Sequence, residues 1–363
     1  MRRLTIAVIY NAEPPAVAEA PDDRASFGDL LRMIRHVARS LRSIGHRVHV
    51  VGVGHDLLAF QRKLTRIQPH VVFNQYDDAV VGASYEMRVA SLVTMMGFPL
   101  TGSSPLALGI TKSKYMCACL LVGAGVAIAP QPRLLETLRS VGQYAWEFPV
   151  IVRPAFEDSG LGLDTASVVT NKKTLREKVR QLLTEFRQPA LAQKFLRGRE
   201  FNVGIIGGNR PRVLPLAEVD YSRLPSTAQP IMSYAAKWIE TSEEYRLTSV
   251  HCPATVEVVL AAKIRQVALA AFVAVGAWGY ARVDMRLDGE GEPVVLEVNC
   301  NPCIDAGIGL ARSAEVAGIP YPKLLDIIVR AALESHRRDV TMALPPRLVG
   351  SIALPRGRAT PEP

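Results

Sequence analysis

The sequence predicts an α/β protein with a doubly wound domain at residues 1–105, and two observations carry that expectation. β-branched runs alternate with amphipathic helical segments there, the pattern of a parallel sheet covered by helices. Further on, strand-like runs holding Asp284 and Glu297 flank an Asp288-Gly-Glu-Gly turn, the pattern of a hairpin.

Leu4-Thr-Ile-Ala-Val-Ile-Tyr10 reads as a strand, followed by an acidic, Pro-rich loop from Glu13 to Asp23. Ser26, with Asp29 three residues on, is placed to cap a helix. The apolar positions Phe27, Leu30, Leu31, Ile34, Val37 and Leu41 recur at helical spacing, and Gly45 closes it. Residues 47–53 and 70–74 read as strands around a helix at 57–67, and 86–96 as a further helix. One helix is expected from Ala107 through Lys112 to Val122. Pro130 and Pro132 then break the chain before a helical stretch at 134–140 and the strand Phe148-Pro-Val-Ile-Val-Arg153. A helix at 174–186, a strand at 190–195, and a hairpin of 200–206 with 212–219 across Gly207-Gly208-Asn209 come next. Residues 253–277 read as a long helix, 280–287 and 293–299 as the acidic hairpin, and 321–335 as a last helix. Residues 338–363 are Pro-rich without a period and read as a tail. The expected units are therefore 1–105, 106–190, 191–337 and 338–363.

The chain's 363 residues and 48% hydrophobic content suit a multi-lobed globular protein and exclude wholesale disorder. No apolar run reaches the roughly 18 to 20 residues of a membrane span. The stretch after Arg2-Arg3 ends at Tyr10-Asn11 without a cleavage site, so a buried strand is expected rather than a secretion signal. Five scattered cysteines do not form a secreted disulfide framework, and a cytoplasmic protein without a membrane partner is expected. A formal charge of +9 admits nucleic acid, an anionic surface or an acidic substrate. The arginines that dominate the 43 basic residues are spread without a dense block or interleaved aromatics, so no nucleic-acid partner is expected.

Asp284 in Arg282-Val-Asp284 and Glu297 in Leu296-Glu-Val-Asn299 sit on neighbouring predicted strands, and Glu297 shares a face with Asn299. Hard oxygen ligands in incomplete number suit magnesium, which completes its shell with water and substrate phosphates. A hairpin face merely decorated with polar groups is the plainer alternative. Upstream, Arg153-Pro-Ala-Phe-Glu-Asp-Ser-Gly-Leu-Gly162 sets a cation at a strand end before a loop whose backbone donors suit phosphate, although an ordinary turn has the same composition. Gln193-Lys-Phe-Leu-Arg-Gly-Arg-Glu-Phe201 and the isolated Lys237 are individually weak signals.

The order of the motifs is more specific. Thr101-Gly-Ser-Ser-Pro-Leu-Ala, Thr111-Lys112, Pro149-Val-Ile-Val-Arg-Pro, Gly198-Arg-Glu-Phe, Cys252-Pro-Ala, Gly279-Tyr-Ala-Arg-Val-Asp and Leu296-Glu-Val-Asn-Cys-Asn-Pro302 follow one another in this chain. From about Val71 to Ala332 the sequence resembles D-alanine:D-alanine ligase and the related ATP-grasp carboxylate-amine ligases. The resemblance implies an ATP-grasp fold behind an N-terminal pre-ATP-grasp domain. It implies ATP held between two lobes: Lys112, Arg153 and Lys237 on the phosphates, and the loop with Glu157, Ser159 and Gly160 closing over them. Gln193, Lys194, Phe195 and Leu196 would face adenine and Glu200 the ribose. It also implies Asp284, Glu297 and Asn299 as ligands of two magnesium ions, with manganese able to substitute, and Arg282 at the developing oxyanion. A homodimer acting on small-molecule carboxylate and amine substrates is the corresponding expectation.

The match departs from the family at Arg153, where lysine is usual, at Gln193, where an acidic residue is frequent, and at Trp238, where tyrosine is usual. Tyr10-Asn-Ala-Glu-Pro-Pro15 does not reproduce the first-substrate pattern, and the segment after Asn299 lacks the Ser-Leu element near the second substrate. A ligase with substrates other than those of the cell-wall enzyme is therefore expected, with a peptide or protein acceptor, or an ATP-binding regulator without ligation, as alternatives. Asp305 reads as the N-cap of a helix at 306–316, with contact to an incoming ammonium as the alternative. Cys300 and Cys303 have a Cys-x-x-Cys spacing but no second pair nearby, so packing is expected rather than zinc. Residues 221–236 are expected to form a lid.

Overall fold

The computed structural model describes residues 3–12, 21–77, 85–157 and 160–337; the Pro-rich tail and Ser159 lie outside them. Strand β1 (Thr5–Asn11) runs parallel to β2 (Arg47–Val53) on one side and β3 (Val71–Gln75) on the other. Its residues 6 to 9 are fully buried, and they point alternately to opposite faces. Ile6 and Val8 meet Ile34, Val37 and Leu41 of α1 (Pro21–Ser43). Ala7 and Ile9 meet Phe60 and Leu64 of α2 (Leu57–Ile67), and Val89 and Val93 of α3 (Tyr85–Met95). Helices on both faces make this unit doubly wound. Helix α1 starts at Pro21 rather than at Ser26. A proline is tolerated in a first turn, where its missing N–H has no partner to lose.

The single helix expected from Ala107 to Val122 is two: α4 (Pro105–Lys112) and α5 (Lys114–Gly123), bent by 105°. Ser104 caps α4 by accepting from the Ala107 N–H, and Ser113 caps α5 by accepting from that of Met116. At the break, the Lys114 N–H donates to the Ala155 carbonyl at 3.1 Å, so the interrupted ladder is satisfied from outside the helix. No single helix among the described residues is long and apolar enough to cross a membrane.

A second, wholly antiparallel sheet has the order β4-β7-β5-β6, built from β4 (Arg133–Leu135), β5 (Val150–Pro154), β6 (Val168–Val169) and β7 (Ala190–Lys194). Helix α6 (Lys172–Glu185), capped by Asn171, lays Leu175, Val179 and Leu182 on Val150, Val152 and Ala192. The helix expected at 134–140 is instead β4 and a 3-10 turn at Ser140–Gln143. Leu135 is fully buried opposite Ala190, and this pairing overrides local propensity. Strand β7 belongs to this sheet, so a division at residue 190 would cut the sheet.

The third sheet, of order β11-β10-β8-β12-β13, carries the polar residues of interest. It comprises β8 (Glu200–Gly207), β9 (Arg212–Val213, paired with β8), β10 (Ala217–Asp220), β11 (Ser249–His251), β12 (Gly279–Leu287) and β13 (Pro293–Asn299). Short helices α7 (Tyr234–Trp238) and α8 (Glu243–Leu247) lie between β10 and β11. Helix α9 (Val258–Ala274) begins later than the expected residue 253; there the Ala254 N–H instead donates to the Leu216 carbonyl. On the other side of the sheet, α10 (Gly309–Val316) and α11 (Tyr321–Arg337) join Tyr280 and Ile206 to the core around Ile6 and Val8. Asp305 does not cap α10: Ile308 precedes that helix without a side-chain cap, and Asp305 Oδ1 accepts from the adjacent Ala306 N–H.

Candidate active site

Strand alternation separates the two faces of the β8–β12 pair. Ala281, Val283 and Met285 pack with Phe201, Val203 and Ile205 against Ile264, Ala268 and Ala271 of α9. The other face carries Arg282, Asp284 and Arg286, which the register sets opposite Gly204, Asn202 and Glu200. On the far side β13 places Glu297 opposite Asp284 and Asn299 opposite Arg282. The register shifts between Asp284 and Met285, leaving Leu296 as an extra residue on β13. Its carbonyl accepts from Arg153 Nη2 at 3.0 Å.

Beside this ladder opens a cleft of about 800 Å³, continuous with solvent, between the third sheet and strands β5 and β7. Arg153 crosses it, with Nη1 3.0 Å from Glu297 Oε2 and Nη2 3.0 Å from Gln193 Oε1. A guanidinium only donates, so the amide oxygen of Gln193 must face Arg153. Lys114 Nζ lies 3.9 Å from Glu297 and donates to the Glu157 carbonyl. Arg282 forks onto Asp284 at 2.7 and 2.8 Å, and Asn202 Nδ2 donates to the same carboxylate at 2.8 Å. Desolvation works against the Arg282 charge, but Asp284 outweighs it and holds the guanidinium protonated. Lys237 lines the cleft, and burial, followed by repulsion from Arg282, lowers its pKa from the ordinary 10.5.

The deep end of the cleft is organised by Arg286. It donates to Glu200 Oε2 at 2.9 and 2.6 Å and to the carbonyls of Leu196 and Pro230, and it lies against the rings of Phe195 and Tyr221. The Tyr221 hydroxyl donates to Glu200 as well, at 2.9 Å. Burial first, and the Glu200 charge second, push the Tyr221 phenol well above its ordinary value, so it remains a donor. Gly160, at φ +81°, roofs the cleft. A Cβ there would stand 3.0 Å from the Tyr234 nitrogen and 3.1 Å from the Met232 oxygen, so only glycine lets the two loops approach.

The structure thus brings Arg153, Glu157, Gly160, Gln193 and Lys194 to one cleft, together with Phe195, Leu196, Glu200, Lys237, Asp284 and Glu297. Lys112 is not among them. It is buried against Asp77 (3.3 Å) and Glu86 (4.0 Å), and Lys114, on the far side of the helix break, reaches the cleft in its place. Asn299 stands on the same sheet face, its Oδ1 accepting from the Asn301 N–H, without lining the cleft. Sequence reasoning missed Lys114 and Arg286. The signal for Arg286 was present in the alternation Arg282-x-Asp284-x-Arg286; for Lys114 it was the serine between two lysines.

Arg282 instead lines a second cavity of about 670 Å³, also open to solvent, with Asn202, Gly204, Val250, Cys252 and Ile308. The Arg282–Asp284 pair, braced by Asn202, is the wall between the two spaces.

Comparison with known proteins decides the family. The model of the D-ala D-ala ligase C-terminus matches residues 132–330. The chain belongs to the D-alanine–D-alanine ligase family. This ligase is 30% identical over 254 residues to the D-alanine–D-alanine ligase of Syntrophobacter fumaroxidans, covering 68% of this chain and 76% of that one. It is also 30% identical over 313 residues to an uncharacterised protein of Sinorhizobium fredii, covering 85% and 88%. Its fold superimposes on the D-alanine–D-alanine ligase of Bacillus anthracis complexed with ATP, with a TM-score of 0.69 and 20% identity, over 92% of this chain and 99% of that one. The fold is therefore ATP-grasp, and the protein is an ATP-dependent carboxylate-amine ligase of this family.

Proposed function

We propose that the ligase transfers the γ-phosphate of ATP to a carboxylate, and that an amine then displaces phosphate from the acyl phosphate to form an amide. The observation that carries this reading is the pair of carboxylates Asp284 and Glu297, directly opposite across β12 and β13, in a cleft lined by Lys114, Arg153 and Lys237, with Arg282 bound to Asp284 from behind. Like charges facing each other across a strand pair repel, and a cation between them would relieve that repulsion. Two carboxylates with the Asn299 amide fit magnesium, or manganese in its place, which would draw its remaining ligands from water and phosphate. The ion would neutralise charge on the transferring phosphoryl group.

Lys114, Arg153 and Lys237 hold the phosphates in line with the incoming carboxylate, whose negative charge they also offset. Ile151, Phe195, Ile231 and Leu296 make an apolar slot for the base beside Gln193. Glu200, fixed by Arg286 and Tyr221, accepts from the ribose. In the second half-reaction the carboxylate carbon–oxygen bond to phosphate breaks as the amine nitrogen bonds to carbon and gives up its proton. Charge on the acyl oxygen develops beside Arg282. Gly160, Leu161 and Gly162 with the segment at 231–237 exclude water from the acyl phosphate. The carboxylate and amine are small molecules, and the working form is a homodimer. The lobes divide at residues 105 and 195–199.

The test is ADP release with ATP and magnesium against a panel of acids and amino acids, with hydroxylamine present. Substrate-dependent ADP together with a hydroxamate is the expected result. Nucleotide binding with neither product across the panel would replace the ligase reading with that of an ATP-binding regulator.

A further inference from the structure

The lining of the second cavity names the class of amine. We propose that it takes an acceptor bearing a bulky, uncharged apolar group, branched aliphatic or aromatic, rather than a two- or three-carbon amino acid. This rests on the ligase reading above, because only then does a molecule held against the Arg282 side of the wall meet an acyl phosphate formed on the Asp284 side.

Three features carry the inference. The space is bounded by β8, β10, β11, β12 and the start of α10, and it is open to solvent, so an acceptor larger than alanine can extend outward from it. Its walls include Ala217, Leu310, Val250 and Ile308, and the last two keep 50% and 53% of their surface exposed. These half-exposed aliphatic side chains, from β11 and from the turn before α10, offer apolar surface that a ligand would cover. Finally, the lining selects against a charged side chain. Its two guanidiniums are matched, Arg282 by Asp284 and Arg312 by Glu315 at 2.8 Å, and its other polar groups are neutral. Asn202 spends its amide N–H on Asp284, which leaves its oxygen to accept from the acceptor's amine. Cys252 Sγ and Ser313 Oγ, 3.5 Å apart, satisfy each other on the neighbouring wall.

The experiment uses the full chain and the carboxylate identified by hydroxamate trapping. Initial rates of ADP release are measured with glycine, with both enantiomers of alanine, leucine and phenylalanine, and with the corresponding amides. The expected result is kcat/KM at least about tenfold higher for leucine or phenylalanine than for glycine, since each methylene in an apolar pocket contributes roughly tenfold or more. Ile308→Ser and Val250→Ser then lower that ratio by about tenfold. A preference for glycine or alanine, or a ratio unmoved by both variants, overturns the proposal. If no hydroxamate forms with any acid, the ligase reading fails by itself. Calorimetric binding of leucinamide against glycinamide, in wild type and Ile308→Ser, then decides the cavity separately. Equal affinities would overturn it.

Discussion

The two cavities either side of the Arg282–Asp284 pair are built on opposite principles. The cleft is lined by charged groups that face one another: Arg153 with Glu297, Arg286 with Glu200, and Lys237 among Arg282, Glu297 and Asp284. The second cavity keeps its charges matched at its edges and offers aliphatic surface, a thiol and a hydroxyl. The difference teaches where chemistry and selectivity reside. Buried charge cannot be altered without cost, because a lone ion in low dielectric is penalised by several kcal/mol. Aliphatic walls can be reshaped one methylene at a time for about 1 to 3 kcal/mol of discrimination.

The largest effect expected from this contrast is on turnover. Asp284→Asn and Glu297→Gln should each lower the rate of ADP formation by on the order of a thousandfold, as loss of preorganised charge at a transferring group does. Rates within tenfold of wild type would erase the distinction between the two cavities. Next in size is Arg286→Met. Loss of charge-assisted hydrogen bonds worth about 1.5 to 3 kcal/mol should raise KM for ATP by roughly 10- to 100-fold, with kcat changed much less. Discrimination between ATP and 3′-deoxyATP should shrink in the same variant, since Glu200 loses its fixed orientation; unchanged discrimination would leave Arg286 a merely structural residue.

A third comparison sets the two lysines against each other. Lys114→Met should raise KM for ATP by about tenfold, whereas Lys112→Met should leave it within about threefold and lower the melting temperature, because Lys112 neutralises the buried Glu86. The reverse ranking would return the nucleotide role to Lys112.

The smallest effect is one of pH. Lys237 loses its proton below the ordinary 10.5, so activity that needs its charge falls as pH rises through that lowered value. Between that value and 10.5 the unfolded chain holds a proton that the folded chain has released. Its contribution to folding therefore becomes more favourable as pH rises. Lys237→Arg should move the alkaline limb of kcat/KM upward, and superimposable profiles would remove Lys237 from the phosphate site.

Much of the cleft was legible because a strand alternates with a period of two whatever surrounds it. Arg282 and Asp284, and Glu297 and Asn299, therefore share faces by spacing alone. Motif order extended this to Arg153, Gln193 and Glu200. The break between α4 and α5 was not legible. Thr111-Lys112-Ser113-Lys114 suits a continuous helix locally, and the interruption is compensated by the Ala155 carbonyl, some forty residues away. The strand at 133–135 escaped for the same reason, since its partner is β7.

By itself, then, the sequence determined the alternating strands, the acidic hairpin and most of the charged residue types that meet in the cleft, because these depend on backbone periodicity and on chemistry local to each motif. Only the tertiary structure decided that Lys114 and not Lys112 enters the cleft, that Arg286 anchors Glu200, and that Arg282 divides two cavities. Each of those depends on register and packing between segments distant in the chain, which no local spacing encodes.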